Sequence, residues 1–515
     1  MPKKPELLAV IDVGSNGLTL KIAQAERRGS PPRIIESVRG SLALGRDTYN
    51  EQVIREENIV RLCSILLGFR QKLREYRLTE ARVVATSAVR EAGNRDYVIA
   101  RIQQETGFSV AVLDNSQERY LHLQAVASLF SRFGDCSQEG TLLVDIGAGS
   151  LQVSSFYHGE LYFSHNLMLG SLRVNEALNR LRDKAKDDRR LLDEYVSCEL
   201  NDAYTLETED VPYRSLIVIG SEIRALKKLA GYKRSDDCIK PQDAFKLLNK
   251  LSGLTPLTLT TQYGVAPDMA EVLLPSALII GKYLQRPGIS ALYMPTVDLC
   301  DGLILDEAIR QRQYRLNYNL ESQVVSASRH LACRFAYDKA HTDNVTGHAL
   351  ALFDCLALAY KLTPRMRLLL EVASVLHDIG KVIRLNDHSR QSFNIILSSD
   401  IPGLSDRERL MVAYIARQHS AFTSPDRGDM PDLDENERKT VLPLGSILRL
   451  ADGLDASHRQ KLPAIKPRIR RSLLVIPFDT TEDTTLERST ARDKGHYFTQ
   501  VFGLGLEFEI NGGKL

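Results

Sequence analysis

A repeat narrows the fold more than any other feature of this chain. The stretch Leu7-Leu8-Ala9-Val10-Ile11-Asp12-Val13-Gly14-Ser15-Asn16-Gly17 is echoed about 133 positions later by Thr141-Leu142-Leu143-Val144-Asp145-Ile146-Gly147-Ala148-Gly149-Ser150. Each copy is an apolar run suited to a buried strand and ends in an Asp-x-Gly turn. Alternation resumes beyond each turn, in Leu18-Thr19-Leu20-Lys21-Ile22-Ala23 and in Leu151-Gln152-Val153-Ser154-Ser155-Phe156. Each copy therefore reads as a β-hairpin closed by Gly and Ser. Two such hairpins predict duplicated α/β domains.

Between the copies, Glu56 to Tyr76 carries helical periodicity through Ile59, Leu62, Cys63, Leu66, Phe69 and Leu73, and Ala81 to Ser87 reads as a strand entering a polar turn. Strand and helix signals alternate to about residue 310, including an apolar strand from Tyr213 to Gly220, which predicts α/β architecture. From about 320 to 457 the pattern is helical almost throughout, with expected breaks at Thr363-Pro364, Ser424-Pro425 and Leu442-Pro443. The tail from about 462 has alternating runs at Ser472 to Pro477 and Leu504 to Ile510, and reads as a small β-rich appendage. The expected domains are 1–125 and 126–312 (α/β), 313–460 (all-α) and 461–515 (β-rich).

Composition removes several alternatives. Apolar residues make up 43% and charged residues 26%, so neither disorder nor a low-complexity scaffold fits. Lys plus Arg number 67 against 65 Asp plus Glu, so any polyanion site must be local. The seven cysteines form no CxxC pair, which argues for free thiols in a reducing compartment and a cytoplasmic location. The N-terminal apolar run is interrupted by Asp12 and reads as a first strand rather than a secretory signal. The most apolar stretch, Val272 to Leu284, contains Pro275 and Lys282, so no membrane association is expected.

A Gly and Ser turn after a strand aims several backbone N–H groups at one point, as binding a phosphate requires, although plain hairpins use the same residues. Two such turns facing each other would hold adjacent phosphates. Phe108 to Arg119 reads as a strand, a polar turn and a helix start, with Glu118 in the first helical turn. On residue type alone Glu118 is a cap partner there.

These residues, taken together, resemble the exopolyphosphatase/guanosine pentaphosphate phosphohydrolase (Ppx/GppA) family. The resemblance rests on Asp12-Val13-Gly14-Ser15-Asn16, Ala85-Thr86-Ser87-Ala88-Val89-Arg90-Glu91-Ala92 with Asn94, the Glu118 turn and Asp145-Ile146-Gly147-Ala148-Gly149-Ser150, in that order. It covers about residues 6 to 310 and continues into the helical region. It implies two ribonuclease-H-like domains of the actin, Hsp70 and sugar-kinase superfamily. It also implies hydrolysis of a terminal phosphoanhydride in polyphosphate or guanosine pentaphosphate, with a homodimer as the assembly and no DNA partner. By the same resemblance Glu118 is the base that orients water. Gly14, Ser15, Asn16, Gly147, Ala148, Gly149 and Ser150 cradle phosphate, Arg90 lies near it, and Asp145 is a Mg²⁺ carboxylate. Four places depart from the family pattern, one of them Ile219-Gly220-Ser221 where Gly-Gly-Thr is usual. Gln152 stands where a carboxylate is usual, Ala148 puts a methyl on a turn that would need a positive φ, and Cys300-Asp301-Gly302 replaces Arg-Glu-Gly.

The helical region holds a second constellation. His341, His377-Asp378 and Asp452 match the H…HD…D order of HD-domain metal phosphohydrolases, and Leu369, Val372, Ala373, Leu376 and Ile379 put the central pair at the edge of a buried helix. Imidazole with carboxylates suits Mn²⁺, Fe²⁺, Mg²⁺ or Zn²⁺, and His388 and His419 are candidates for a second ion. In this reading the helical region is a metal-dependent nucleotide phosphohydrolase and the first half a sensor. A third reading is a non-catalytic polyphosphate or alarmone-binding regulator. Finally, Arg459, Lys461, Lys466, Arg468, Arg470 and Arg471 fall within thirteen residues without an acid, either a solvated face or a track for a long polyanion.

Overall fold

The computed structural model describes residues 7–25, 29–181, 188–205, 211–316, 318–420, 430–462, 464–511 and 513–514, in two compact units that divide after Leu320. In the first unit the expected duplication appears as two sheets of matching topology. One contains β1 (Leu7–Gly14), β2 (Gly17–Gln24), β3 (Arg33–Gly40), β4 (Arg82–Ala85) and β5 (Val110–Val112) in the order β3-β2-β1-β4-β5. The other contains β6 (Thr141–Ile146), β7 (Leu151–Tyr157), β8 (Glu160–Leu167), β9 (Ser215–Gly220), β10 (Cys238–Ile239) and β11 (Ala291–Tyr293) in the order β10-β11-β9-β6-β7-β8. In each, an antiparallel hairpin is followed by parallel strands reached through helical crossovers. Crossovers need a dozen residues or more, which is why helices separate the parallel strands while hairpin turns stay short.

The two central strands, β1 and β6, are almost wholly buried. Both therefore read as continuous apolar runs, and each delivers one aspartate near its carboxyl end, Asp12 and Asp145. Apolar helix faces cover the sheets. Ile59, Leu62, Cys63, Leu66, Phe69 and Leu73 of the helix Glu56–Glu75 enter the core of the first sheet, as their spacing predicts.

The second unit is built from long helices around one core, and Thr363-Pro364 starts a helix as expected, with Thr363 capping it. The expected break at Leu442-Pro443 does not occur. Pro443 lies inside the helix Glu435–Gly453, where Val441, Leu444, Ile447, Leu448 and Ala451 are buried on one side and hold the helix through the missing N–H. The expected break at Ser424-Pro425 lies outside the described residues.

The tail forms the expected small sheet. Strands β12 (Arg468–Arg470), β13 (Leu473–Phe478), β14 (Gly505–Ile510) and β15 (Gly513–Lys514) form a sheet, but an 18-residue helix, Thr485–Phe502, crosses between the parallel pair β13 and β14. Leu474, Ile476, Phe498 and Phe508 join the helical core. The helix packs through small residues. A Cβ on Gly453 would meet Ala491 Cα at 3.0 Å, and one on Gly495 would meet Leu506 Cδ1 at 2.2 Å. Among the described residues, no helix is long and apolar enough to cross a membrane.

Candidate functional site

Both duplicated turns open on one cleft of about 340 Å³ in the first unit. Gly14, Ser15 and Asn16 line it from one hairpin; Gly147, Ala148 and Ser150 line it from the other. Glu118 and Asp145 line it too, so the sequence-predicted acid, carboxylate and turns come together. Gly149 and Arg90 stand just behind this surface. A Cβ on Gly149 would lie 2.0 Å from Tyr49 Oη and 2.6 Å from Ser87 Oγ, so the turn tolerates only glycine there. Ala148 does not have a positive φ, which corrects the expectation of strain at its methyl. The turn's carbonyls are anchored to the next helix: Ser171 N–H donates to Gly147 O, and Leu172 N–H to Ala148 O, both at 3.0 Å. The Ser15 hydroxyl is engaged within the wall, bonded to Ser87 Oγ and Tyr49 Oη at 2.8 Å each.

The helix Asn115–Leu129 positions Glu118. Its capping box is formed by Asp114 and Gln117, which corrects the cap role expected of Glu118. Glu118 is instead free of the cap and meets Arg90, whose Nη1 lies 3.1 Å from its carboxylate. Arg90 is not a surface residue. It donates to Leu113 O at 2.6 Å and Asn115 Oδ1 at 2.5 Å, clamping the helix start from below.

Four further groups at the cleft were given no role in the sequence reading, though Asp12 belongs to the first turn motif. His122, one helical turn beyond Glu118, pairs with Asp145. Burial works against its protonation, but Asp145, Glu118 and Asp12 outweigh that and raise its pKa to about 9. Asp12 is half-buried; desolvation there, with the Glu118 and Asp298 charges adding, raises it to about 7. Arg39 reaches the cleft and donates to Asn16 O and Asp268 Oδ2 at 3.1 Å each. Lys21 is buried beneath, donating to Asp298 Oδ1 at 2.7 Å and Asp301 Oδ1 at 2.6 Å. The departure at Asp301 therefore has a structural use, completing this pair and the capping box of the helix Leu299–Arg310. Alternation at Leu18 to Ala23 puts Lys21 on the face opposite Leu18, Leu20 and Ile22, so nothing in the local pattern signalled its burial.

The donor set suits a hard cation. Asp12, Glu118 and Asp145 supply carboxylates, and Asp12 Oδ1 is buried without a hydrogen bond. Gln152, opposite Asp145 in register, is buried with neither its amide N nor its amide O hydrogen-bonded, a neutral group beside Asp145 that does not itself line the cleft.

The second unit gathers its predicted residues as well. His341 Nε2 lies 3.3 Å from Asp452 Oδ1 and 3.7 Å from Asp378 Oδ2; His377 Nε2 lies 3.6 Å from Asp378 Oδ2. His388 and His419 stand on the other side, 3.4 and 3.6 Å from Asp378 Oδ1. Burial works against the Asp378 charge, but His377, His419 and Lys381 hold its carboxyl below the usual range. Burial, aided by the His377 charge, pushes His419 down to about 3. Missed in sequence were Asp455, which accepts from His341 Nδ1 at 2.9 Å, His458, stacked on His341, and Lys381 and Lys494, which meet Asp378 and Asp452. The basic run reads mainly as a solvated face: Arg468 and Arg470 pair with Glu509, and Lys461 with Glu487.

The chain is similar to known proteins over part of its length. An exopolyphosphatase 1 from Mycobacterium leprae (strain TN) is 28% identical over 311 residues, which span 58% of this chain and 88% of the relative. The crystal structure of an exopolyphosphatase-like protein superposes with a TM-score of 0.53 at 22% identity, covering 60% of this chain and 99% of that one. An exopolyphosphatase from Cytophaga hutchinsonii ATCC 33406 gives 0.51 at 20% identity, with the same coverage. These likenesses give the chain an actin-like fold. The profile of the Ppx/GppA phosphatase family matches residues 22–311, and that of Ppx/GppA phosphatase domain III matches residues 325–475. The chain belongs to the Ppx/GppA phosphatase family.

Proposed function

We propose that the chain is a phosphoanhydride hydrolase that releases orthophosphate from the end of inorganic polyphosphate, with the 5′-triphosphate of guanosine pentaphosphate as the alternative substrate. The observation that carries this reading is the meeting of Glu118 with both duplicated turns in one cleft. The exopolyphosphatase name of the relatives supports it.

Phosphoryl transfer to water needs an in-line nucleophile, donors on the equatorial oxygens and compensation of substrate charge. In this cleft the Glu118 carboxylate orients water and accepts its proton. Arg90 holds that carboxylate in place by the 3.1 Å contact and by its own anchors on Leu113 and Asn115. Backbone N–H groups of the Gly14–Asn16 and Gly147–Ser150 turns meet the terminal phosphates, and Arg39 and Arg224, which line the same cleft, meet the charge further along the chain of phosphates. Asp12 and Asp145 are the residues that would hold Mg²⁺, which when bound would offset phosphate charge. His122 keeps Asp145 oriented and brings a positive charge into the carboxylate cluster. Gln152 leaves the cluster one charge poorer than a glutamate would. A homodimer and a cytoplasmic location belong to the same reading.

Orthophosphate release from long-chain polyphosphate and from guanosine pentaphosphate, with Mg²⁺, tests it in the unaltered chain, Glu118→Gln and Asp378→Ala. Loss in Glu118→Gln with retention in Asp378→Ala is expected. Loss in Asp378→Ala alone would move the activity to the second unit. Tight polyphosphate binding without release by any form would make the chain a regulator.

A further inference from the structure

We propose that Tyr49 is a positioning residue for phosphate in the cleft of the first unit. Its ring fixes the spacing of the two duplicated turns, and its hydroxyl sets Ser87 as a donor to the terminal phosphate. This rests on the reading of that cleft as a phosphate site and adds two residues to it. Neighbouring phosphates share one bridging oxygen, so turns that hold them have to stand at one separation. A misplacement of about 1 Å in such a site costs about 100-fold in rate.

Each turn is tied to the start of a helix. Gly45 N–H, in the helix Leu44–Glu51, donates to Ser15 O at 2.9 Å, while Ser171 and Leu172 N–H, opening the helix Ser171–Leu181, hold Gly147 O and Ala148 O. The distance between the turns therefore follows the distance between these two helices. The helices are joined directly: Asn50 Nδ2 donates to Glu176 Oε2 at 2.9 Å, and Arg46 Nε lies 3.3 Å from Glu176 Oε1. Tyr49 stands in the same contact. A Cβ on Gly149 would strike its Oη and come 2.8 Å from its Cζ, so the end of the ring rests on the backbone of the second turn. Arg173 lays its guanidinium over the ring, 4.1 Å from the centroid, and its Nε donates to Gly149 O at 2.7 Å. Arg173 also pairs with Glu91. One ring is thus clasped between the two turns.

Counting protons shows what the hydroxyl does. Ser15 Oγ accepts from Tyr49 Oη at 2.8 Å and from Ala88 N–H at 3.1 Å. A hydroxyl oxygen has two acceptor sites, so the Ser15 proton goes to Ser87 Oγ, 2.8 Å away. With the Tyr49 proton spent on Ser15, the 3.1 Å contact between Tyr49 Oη and Ser87 Oγ is made with the Ser87 proton. Ser87 and Ser15 both line the cleft. An anionic phosphate oxygen is a stronger acceptor than a phenol, so a bound phosphate draws the Ser87 proton away from Tyr49. The donor it gains is already polarised by the two hydroxyls behind it. Desolvation raises the pKa of Tyr49, which keeps the proton that this chain of donors needs.

The test makes two measurements on the full chain: orthophosphate release from polyphosphate and, in a Glu118→Gln background that silences release, calorimetric binding of inorganic tripolyphosphate. Tyr49→Phe keeps the ring and loses the hydroxyl; Ser87→Ala removes the donor. Each should lower kcat/KM about tenfold, and the double variant should fall no further than Ser87→Ala alone, because Tyr49 acts through Ser87. Tyr49→Leu removes the ring under Arg173 and should lower kcat/KM about 100-fold, through a higher KM and with a matching loss of tripolyphosphate affinity. If Tyr49→Leu does not fold, the double-variant comparison decides. Losses that multiply in the double variant overturn the inference, as do Tyr49 variants that keep the kcat, KM and tripolyphosphate affinity of the unaltered chain. Tripolyphosphate binding with the expected pattern but no orthophosphate release removes the hydrolase reading and leaves the positioning role. An unaltered chain that neither releases nor binds removes both.

Discussion

Replacing Lys21 with methionine tests what holds the wall of the cleft in place. Lys21 lies on β2, and Asp298 and Asp301 lie at the start of the helix Leu299–Arg310, some 277 and 280 positions away. Methionine keeps the apolar stem and removes the ammonium, leaving two carboxylates facing each other. Asp301 is 8% exposed and Asp298 35%. Removing one partner of a buried ion pair costs ~3–5 kcal/mol. Because Asp298 retains access to water, the lower end, about 3 kcal/mol, is expected at pH 7. The dependence on pH follows from the sign of the perturbation. Without the ammonium both carboxyls have folded pKa values above their unfolded ones, so they destabilise the fold at neutral pH, and the penalty is relieved as pH falls through the raised folded values. The deficit relative to the unaltered chain should therefore shrink between pH 7 and pH 5, and adding Asp301→Asn should recover part of it at pH 7. Urea denaturation of the full chain, following the transition of the first unit, measures it. A deficit under about 1 kcal/mol at pH 7, or one that grows on acidification, would refute the reasoning.

Gly149→Ala forces a methyl into Tyr49 Oη, so a loss of ~1–3 kcal/mol and at least a tenfold drop in phosphate release are expected; unchanged kinetics would remove the turn from the site. Gln152→Glu puts a second carboxylate opposite Asp145, which should lower the melting temperature without Mg²⁺ and enlarge the stabilisation that Mg²⁺ provides; an identical Mg²⁺ response in both forms would contradict the assignment. His348, buried in the second unit, has its pKa pushed down to about 4 by burial, so the unfolded state binds the extra proton first. Stability should fall as pH drops from 6.5 toward 4, by at most about 3 kcal/mol, and His348→Leu should flatten that slope in a pH series of denaturation curves.

What the amino-acid order reveals depends on how local the determining interaction is. The two hairpins are legible because a buried strand must be apolar and a tight turn must be Gly and Ser, so Asp12 and Asp145 stand out against their own neighbours. The helix Thr485–Phe502 is hidden for the converse reason: it approaches its partner through Ala491 and Gly495, residues that add little to an apolar pattern. Pro443 is misleading because tertiary burial of five residues on one helix face outweighs one missing hydrogen bond.

The same distinction divides the two sites. The helical cluster is readable because metal-ligating residue types in a set order are rare, yet the supports that orient them, the carbonyls of Ser374, Leu385 and Ala416, leave no trace in residue identity. The cleft is readable in its turns and unreadable in its electrostatics. His122 would have been assigned to a helix face, and only the pairing of β6 beside that helix turns it toward Asp145. Charge balance at this site is therefore a tertiary property: three carboxylates, one histidinium and one neutral amide meet from β1, β6, β7 and the helix Asn115–Leu129. A chain that exchanges Gln152 for glutamate alters that balance without altering any local pattern, and its response to Mg²⁺ is where the difference would register.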